Sequence, residues 1–593
     1  TEEQGENFYR MHLGGKGFAG HYLLAEVPRG ADPLGSDNVL VLAGSVVSGL
    51  PIPGYSRFTV AAKSPLTGGY GEAEAGGYLA PELKFAGFEA VVVAGVAEKP
   101  VYLFIRDGEA EVRDASHLWG LGTSQTEKAI REELGDARVR VASIGPAGEN
   151  LVRYACVMHE GRNAAGRCGL GAVMGSKRLK AVAVRGTGKP ELADREGVLS
   201  IARWFRDSYR DNPLTRALHD LGTAGLLGGL NATGVLPTCN FTAGSFEGWE
   251  SLAGETYERQ FVVARWGCYA CPVRCKRTVR LNGLEVPGPE YETIALVGGN
   301  CAIDSIEDVA YLNHVLDDLG IDTISGGAVI GFAIECYQKG ILSREAVGRE
   351  LAFGDAEAVL YLAQKIAARE GIGDLLADGV KKAAAELGPE AQRIAPHIKG
   401  LELSGYESRY APAMMLAYMT ADIGAHHNRA WAITYDVQVG QEKLEGKAHR
   451  VIELQHIRPL FDALGLCRLQ WVEIGFDLKH YAEIFPLVTG WDYSWEDLLR
   501  ISEKIWNQNR CFNVREIPGF GRSWDYPPAR VWEEPVPTGP AQGKSIPRER
   551  LDALLDDYYR LRGWSPDGLP TRRKLRELGL GDVADALADR LPE

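Results

Sequence analysis

The sequence predicts a multidomain α+β protein in which a β-sheet-rich first domain is followed by two mainly α-helical domains. Up to about residue 190, short apolar runs such as Val39-Leu-Val-Leu-Ala43, Ala90-Val-Val-Val-Ala94 and Val139-Arg-Val-Ala-Ser143 are separated by Gly and Pro, the pattern of strands and tight turns. From about Glu191 the apolar residues recur at three- and four-residue spacing, as in Ile306–Leu319 and Ala356–Ala368, which is the buried face of an amphipathic helix. A chain of 593 residues also exceeds what one hydrophobic core supports. The expected divisions are 1–190, 191–396 and 397–593, with a soft boundary near 394–400. Residues 517–543, rich in Pro and Gly, read as a long surface connection to a last helical piece from Arg548 onward.

Composition removes several classes of function. The formal net charge is −14, from 79 acidic and 65 basic residues, and no basic run offsets it, so a duplex nucleic-acid binder is excluded. No apolar stretch approaches a membrane span, and the N-terminus lacks the charged-then-apolar layout of a signal peptide. The expectation is a cytoplasmic protein. Ten cysteines are too few for a disulfide scaffold, whereas 71 glycines call for many tight turns or close backbone approaches.

Three of the cysteines fall within eight residues, in Trp266-Gly-Cys268-Tyr-Ala-Cys271-Pro-Val-Arg-Cys275. A C-x2-C-x3-C run supplies three thiolates, and a [4Fe–4S] cluster needs one per iron, so a fourth must come from elsewhere in the chain. Structural zinc usually takes two separated pairs of ligands, which this compact triplet does not provide. Buried structural cysteines are the plain alternative. Cys467 lies in Asp462-Ala-Leu-Gly465-Leu-Cys467, which repeats the pattern of Asp317-Asp-Leu-Gly320-Ile-Asp322. Both are D-x-x-G elements at the end of an apolar-periodic helix. There glycine can take a left-handed conformation, while the aspartate and the following amides face a ligand. Two copies suit a ligand with two similar halves; two unrelated helix caps are the alternative.

Two glycine-rich loops carry cations. Residues 161–177 hold Arg162, Asn163, Ala164, Gly166, Arg167 and Lys177, and the stretch from Arg57 through Lys63 reaches Glu74-Ala-Gly76-Gly77. Close backbone approach beside guanidinium groups is what a phosphate-bearing cofactor requires. Gly15-Lys-Gly17-Phe-Ala-Gly20 matches the dinucleotide pattern, but Phe8-Tyr-Arg-Met-His-Leu13 is too short and polar to be the buried strand that pattern needs.

These residues resemble the aldehyde ferredoxin oxidoreductase family, tungsten- or molybdenum-pyranopterin enzymes. The likeness runs from about Gly14 to the Asp556-Asp-Tyr-Tyr-Arg-Leu-Arg-Gly-Trp segment. It rests on Lys63-Ser-Pro-Leu-Thr-Gly, Lys84-Phe-Ala-Gly, Gly145-Pro-Ala-Gly-Glu-Asn150, Ala164-Ala-Gly-Arg, Gly171-Ala-Val-Met-Gly-Ser-Lys177, the cysteine run, Gly288-Pro-Glu-Tyr-Glu-Thr293, the paired D-x-x-G elements and Asn513-Val-Arg-Glu516. The resemblance implies a β-sheet base under two pterins with two helical domains above it. Asp317, Gly320 and Ile321 would serve one pterin and Asp462, Gly465 and Leu466 the other. It implies Cys467 as the fourth cluster ligand and Mg²⁺ held by the backbone carbonyls of Glu74 and Ala164. Arg57, Gly76, Asn163 and Gly166 would contact phosphates or pterin edges. Tyr291, Glu292 and His427 would stand near the metal, with Glu292 as general base, His427 polarising the carbonyl or relaying a proton, and Arg429 holding a pterin or orienting His427.

The implied reaction is oxidation of a small aldehyde to its acid, with electrons leaving through the cluster to ferredoxin or a ferredoxin-like subunit; a homodimer or a larger complex is open. Departures from the family pattern are His426, where many relatives have Cys, Glu74, where Asn is usual, and Tyr311-Leu-Asn-His314, which lacks the E-x-x-H iron site of some members. The E-x-x-H at Glu453 and His456 reads as a solvated helix face. Cys301 could approach the metal, since the related benzoyl-CoA reductase subunit has a cysteine ligand in this neighbourhood. That keeps a low-potential reductase as a rival, beside a non-catalytic iron–sulfur electron-transfer module or a zinc-stabilised binding protein.

Overall fold

The computed structural model describes residues 1–470, 478 and 480–593. Its first 185 residues build two sheets. β1 (Leu40–Ala43), β2 (Phe58–Lys63), β3 (Tyr70–Ala75) and β4 (Ala90–Val93) pair antiparallel in the order β3-β2-β1-β4. β5 (Val101–Arg106), β6 (Glu109–Asp114), β7 (Arg140–Ser143), β8 (Val157–His159), β9 (Asn163–Ala165) and β10 (Leu179–Arg185) form a second sheet, ordered β6-β5-β10-β7-β8-β9. Only the β10–β5 pair is parallel there. β1 and β2 are buried at every residue, which is why they read as continuous apolar runs rather than alternating ones. β3 and β9 are edge strands of the two sheets and lie against each other.

The rest of the described chain is mainly helical. The expected helices Ile306–Leu319 and Ala356–Ala368 form with those bounds, capped by Ser305 and Asp355, whose side chains accept the Asp308 and Ala358 amides. A three-stranded antiparallel sheet, β11 (Val262–Trp266), β12 (Lys276–Leu281) and β13 (Leu284–Pro287), interrupts the helical part around the cysteine run. One hydrophobic core runs from Ala147 through Leu296, Ile330 and Met415 to Trp564; a second joins Leu50 and Tyr55 of the first sheet region to Phe461 and Phe485. Segments distant in sequence therefore close over the sheet edges together.

Two local expectations differ. Residues 517–543 do not simply cross the surface: Asp525 is fully buried, bonded by Arg510 at 2.7 Å and approached by Lys399 at 2.6 Å, so the segment is anchored by buried charge. His456 is not on a solvated face either, since it is half-buried and its Nε2 stands 2.6 Å from Arg562 Nη1. The Gly15–Glu26 helix is preceded by the helix Glu6–His12, and a Cβ at Gly15 would stand 2.2 Å from the Asp462 carbonyl, so that glycine admits a close chain crossing. Among the described residues no helix is long and apolar enough to cross a membrane.

Candidate active site

Cys268, Cys271 and Cys275 lie on the connection from β11 to β12. Ala270 (φ 55°) and Arg274 (φ 48°) turn that connection back on itself, and the Cys271 amide donates to the Cys268 carbonyl at 3.1 Å. The Tyr269 amide donates to the Gly77 carbonyl at 3.1 Å, tying the loop to the end of β3. Cys467 arrives from the other side. The helix Lys447–Leu464 ends at Gly465, with φ 63° and ψ 37°, and the Cys467 amide donates to the Gly54 carbonyl at 2.9 Å. All four thiols line one small cavity, and burial raises the pKa of Cys268, Cys271 and Cys275. A Cβ at Gly76 would stand 2.8 Å from Cys268 Sγ, so the close approach of β3 to the cysteines requires glycine.

The spacing of these sulfurs bears on the metal. A zinc tetrahedron with Zn–S near 2.3 Å brings thiolates to about 3.8 Å from each other. Among the described residues the one set of three ligand atoms within 4.8 Å of one another is Glu72, Glu74 and Asp462, with no cysteine in it. Among the described residues no three of the four thiols therefore come within 4.8 Å of one another, a wider spacing than a single zinc ion takes.

Arg57, Gly76, Cys268, Cys275, Lys276 and Cys467 form a wall shared with a second cavity of ≈ 300 Å³. Its lining carries seven cations, Arg57, Arg162, Arg167, Lys276, Arg429, Arg458 and Arg468, against Glu74, Glu290, Glu292, Asp317 and Asp322, so it is suited to an anionic guest. Arg167 keeps Nε and Nη1 without a hydrogen-bond acceptor although it is 3% exposed. Beneath it, Arg429 is bonded by Asp422 at 3.0 Å, Asp462 at 2.7 Å and Glu72, while Lys16 reaches Glu72 at 2.8 Å and Asp422 at 2.6 Å.

The two D-x-x-G elements share their backbone and differ in their side chains. Gly320 ends the helix Ile306–Leu319 with φ 75° and ψ 39°, close to Gly465. Asp317 lines the cavity, and burial pushes its carboxyl up to about 7. Asp462 is withdrawn behind the wall. Burial alone would raise its pKa, but Arg468 and Arg429 outweigh burial and hold it below the ordinary carboxylate range. Glu74 is pushed up to about 8 by burial and then by the charge of Asp462.

At one side of the cavity Glu292 and His427 meet. The Gly405 amide donates to Glu292 Oε2 at 2.8 Å, and Tyr291, just before Glu292, donates its hydroxyl to the Gly405 carbonyl at 2.6 Å. His427 Nδ1 lies 3.2 Å from Glu292 Oε1 but off the hydrogen-bond direction, so neither atom has a hydrogen-bond partner. Burial raises the Glu292 carboxyl to about 8. Burial, reinforced by Arg167, holds His427 well below its ordinary value, so its imidazole is neutral.

Of the residues expected from sequence, Arg57, Glu74, Gly76, Arg162, Asn163, Ala164, Gly166, Arg167, Asp317, Tyr291, Glu292, His427 and Arg429 line this cavity, as do Cys268, Cys275 and Cys467. Gly77, Gly320, Ile321, Asp462, Gly465 and Leu466 are not among its lining residues. Cys301 is not brought to it: the thiol is fully buried, points to the Leu296 and Gly327 carbonyls at 3.4 and 3.6 Å, and is absent from the lining. Sequence reasoning missed Lys276, Arg458, Arg468, Tyr406 and Trp431. Lys276 and Arg468 each directly follow a cysteine expected to be a ligand, and Arg458 precedes Asp462 by one helical turn; those positions were the available signal.

A cysteine-lined cavity sharing a wall with a cation-lined chamber, with Glu292 and His427 at its side, is the arrangement expected of a redox protein with a buried cofactor. Models of the two parts of one family match the chain: aldehyde ferredoxin oxidoreductase, N-terminal domain, over residues 1–186, and domains 2 and 3 over residues 200–580. The tungsten-containing aldehyde ferredoxin oxidoreductases of Pyrococcus furiosus and Thermococcus kodakarensis are each 40% identical, over 98% of this chain and 96% of theirs. A WOR-like subunit of an aliphatic sulfonate oxidoreductase from Pyrococcus furiosus is 30% identical over 98% of this chain and 95% of that protein. Among solved structures, the active site complex BamBC of benzoyl coenzyme A reductase with 1,5-dienoyl-CoA matches with a TM-score of 0.86 and 28% identity, over 99% of this chain and 96% of that one. The chain belongs to the aldehyde ferredoxin oxidoreductase family.

Proposed function

We propose that this protein is a tungsten-pterin aldehyde oxidoreductase that passes electrons through a [4Fe–4S] cluster to ferredoxin. The observation that carries the reading is the shared wall, which sets four cysteines directly behind the chamber containing Glu292 and His427. The donor set suits the implied groups: Cys268, Cys271, Cys275 and Cys467 for the cluster, Arg167, whose Nε has no hydrogen-bond acceptor and whose Nη1 faces Asp322 at 3.5 Å, with Arg57 and Arg162 for pterin phosphates, and the carbonyls of Glu74 and Ala164, on two abutting sheet edges, for Mg²⁺. When bound, the tungsten centre supplies a two-electron acceptor.

The protein's own part is acid–base and positional. Oxidation of an aldehyde adds water oxygen to the carbonyl carbon and releases two protons and two electrons. Glu292, in its ionised form, accepts a proton from water at Oε1, the atom left unpaired beside His427. The neutral His427 offers an imidazole N–H to the carbonyl oxygen. Tyr291 and the Gly405 amide fix the Glu292 carboxyl, so Tyr291 acts by positioning and not by touching substrate. A cluster held by the four cysteines would carry the electrons away one at a time, and Cys268 and Cys467 stand on the wall that faces the chamber. Cys301, the residue that would favour a benzoyl-CoA-reductase type of site, is turned away from the chamber, and the acid–base pair argues against a purely electron-carrying module.

The test is metal analysis joined to a substrate assay. About four iron and one tungsten or molybdenum per chain, with aldehyde-dependent reduction of a viologen dye, are expected; zinc as the sole metal with no dye reduction overturns the assignment.

A further inference from the structure

The segment that carries the cysteine run is charged unlike the rest of the chain. From Arg259 to Leu284 it holds six cations and no acidic residue, whereas acids outnumber bases 79 to 65 over the whole sequence. Two of the six are turned inward: Arg277 is buried and donates to Glu258 at 3.0 Å, and Lys276 lines the chamber. Arg259, Arg265, Arg274 and Arg280 are exposed. Glu258 also holds Arg265, and Glu285 holds Arg280 at 2.6 Å. Among the described residues Arg259 and Arg274 form no ion pair, so their charge is open to a partner.

These charges flank a thin cover over the cysteines. Cys268, Cys271 and Cys275 are half-buried, and Ala270 and Arg274 of the same loop are exposed. β11, which runs into that loop, is an edge strand paired to β12 alone; Val263 is 41% exposed, and Ala264 and Arg265 after it are exposed too. A protein resting on β11 and Ala270 therefore meets the cysteine loop directly, with no further layer of the fold between. The helix Pro213–Leu221 also reaches the cysteine cavity, through Leu218, but it carries one exposed base and one exposed acid, Arg216 and Asp220, and offers no net charge.

We infer that β11 and the cysteine loop form the docking surface for an acidic, dissociable ferredoxin, with Arg259 and Arg274 as its principal charge contacts. The inference rests on the electron-passing reading above and adds the place and manner of the exchange. Each aldehyde oxidised releases two electrons, so two oxidised ferredoxins take one each, and the cluster is left as it began. A permanently bound subunit would call for a broad apolar face of about 2,000 Å² or more. Among the described residues the exposed large apolar side chains of this segment are Val263 and Leu284 alone. Charge-guided contact suits a carrier that must arrive, accept an electron and leave.

The holoenzyme is assayed on an aldehyde with two acceptors, a viologen dye and a purified single-cluster [4Fe–4S] ferredoxin of net negative charge, and binding of that ferredoxin is measured by calorimetry. Its kcat/KM is expected to fall with added salt, as the Debye length shortens from about 30 Å at about 0.01 M to about 8 Å at about 0.15 M. Arg259→Glu and Arg274→Glu should each lower it about tenfold at the lower salt, with a matching loss of affinity, and by less at the higher. Dye reduction and the iron and tungsten contents should not change, and Arg274→Lys should behave as the wild type. Arg216→Glu should keep kcat/KM for ferredoxin within about twofold at the higher salt, where charges beyond about 8 Å are screened. Arg259 lies outside the cysteine loop, so its variant decides the matter if Arg274→Glu loses iron. Ferredoxin kinetics indifferent to salt, no loss in Arg259→Glu, or an equal loss in Arg216→Glu overturns the inference. If no aldehyde is oxidised, the function proposed above fails, while the ferredoxin affinities of the same variants still decide the docking surface.

Discussion

Replacing Glu292 by Gln removes an ionisable group and keeps the shape of the site, including the bond from the Gly405 amide to Oε2 at 2.8 Å. In the wild type burial puts the carboxyl at about 8, so at pH 7 about one-tenth of it is ionised and able to accept a proton. The logarithm of kcat/KM should therefore climb with unit slope from pH 6 to about 8 and then level. His427, held well below its ordinary value, adds nothing to that limb. The Gln variant should lose the limb and about 10²–10⁴ in rate, with unchanged iron and tungsten contents.

The same shift acts on stability. Moving a carboxyl from 4.5 to about 8 corresponds to about 5 kcal/mol at 1.36 kcal/mol per unit. Below pH 4.5 folded and unfolded states both hold the proton. Between 4.5 and about 8 only the folded state keeps it, so stability falls as pH rises through that window, and above it the full cost persists. Glu292→Gln, neutral throughout, should not show this decline in denaturant titrations at successive pH values. Wild-type turnover in the Gln variant at pH 7, or an unchanged pH limb, would refute Glu292 as the base.

Cys467→Ala should lower iron content and bleach the cluster's visible absorbance while leaving tungsten bound, measured by metal analysis and spectroscopy; full iron occupancy would mean the fourth ligand lies elsewhere. Gly76→Ala sets a Cβ 2.8 Å from Cys268 Sγ, so cluster assembly should fail in the variant although no ligand is altered, which iron quantification reads directly. Arg429→Met leaves Glu72, Asp422 and Asp462 short of a cation in a site where Arg429 is 1% exposed, and a loss of about 3–5 kcal/mol of unfolding free energy is expected.

Local rules made much of this protein legible in the chain itself. A compact C-x2-C-x3-C run is legible as a candidate metal-binding loop because thiolate ligands must be close in sequence or be brought together by a loop, and the β11–β12 connection carries it. Helices such as Ile306–Leu319 are written in their periodicity and caps, and the left-handed Gly320 and Gly465 in the repeated D-x-x-G pattern. What only the tertiary structure decided depends on contacts between distant segments. It buried Asp462 against Arg429 and Arg468 while leaving Asp317 at the cavity, so one motif serves two electrostatic roles. It turned Cys301 inward, toward the Leu296 and Gly327 carbonyls and away from the cavity. It also set Glu292 beside His427 and surrounded them with Tyr406 and Trp431. A single sequence encodes which residues prefer burial; the wall they form together appears only when Glu74, Arg167, Glu292, Tyr406 and Cys467 have closed on one space, because burial and pairing are properties of that closure.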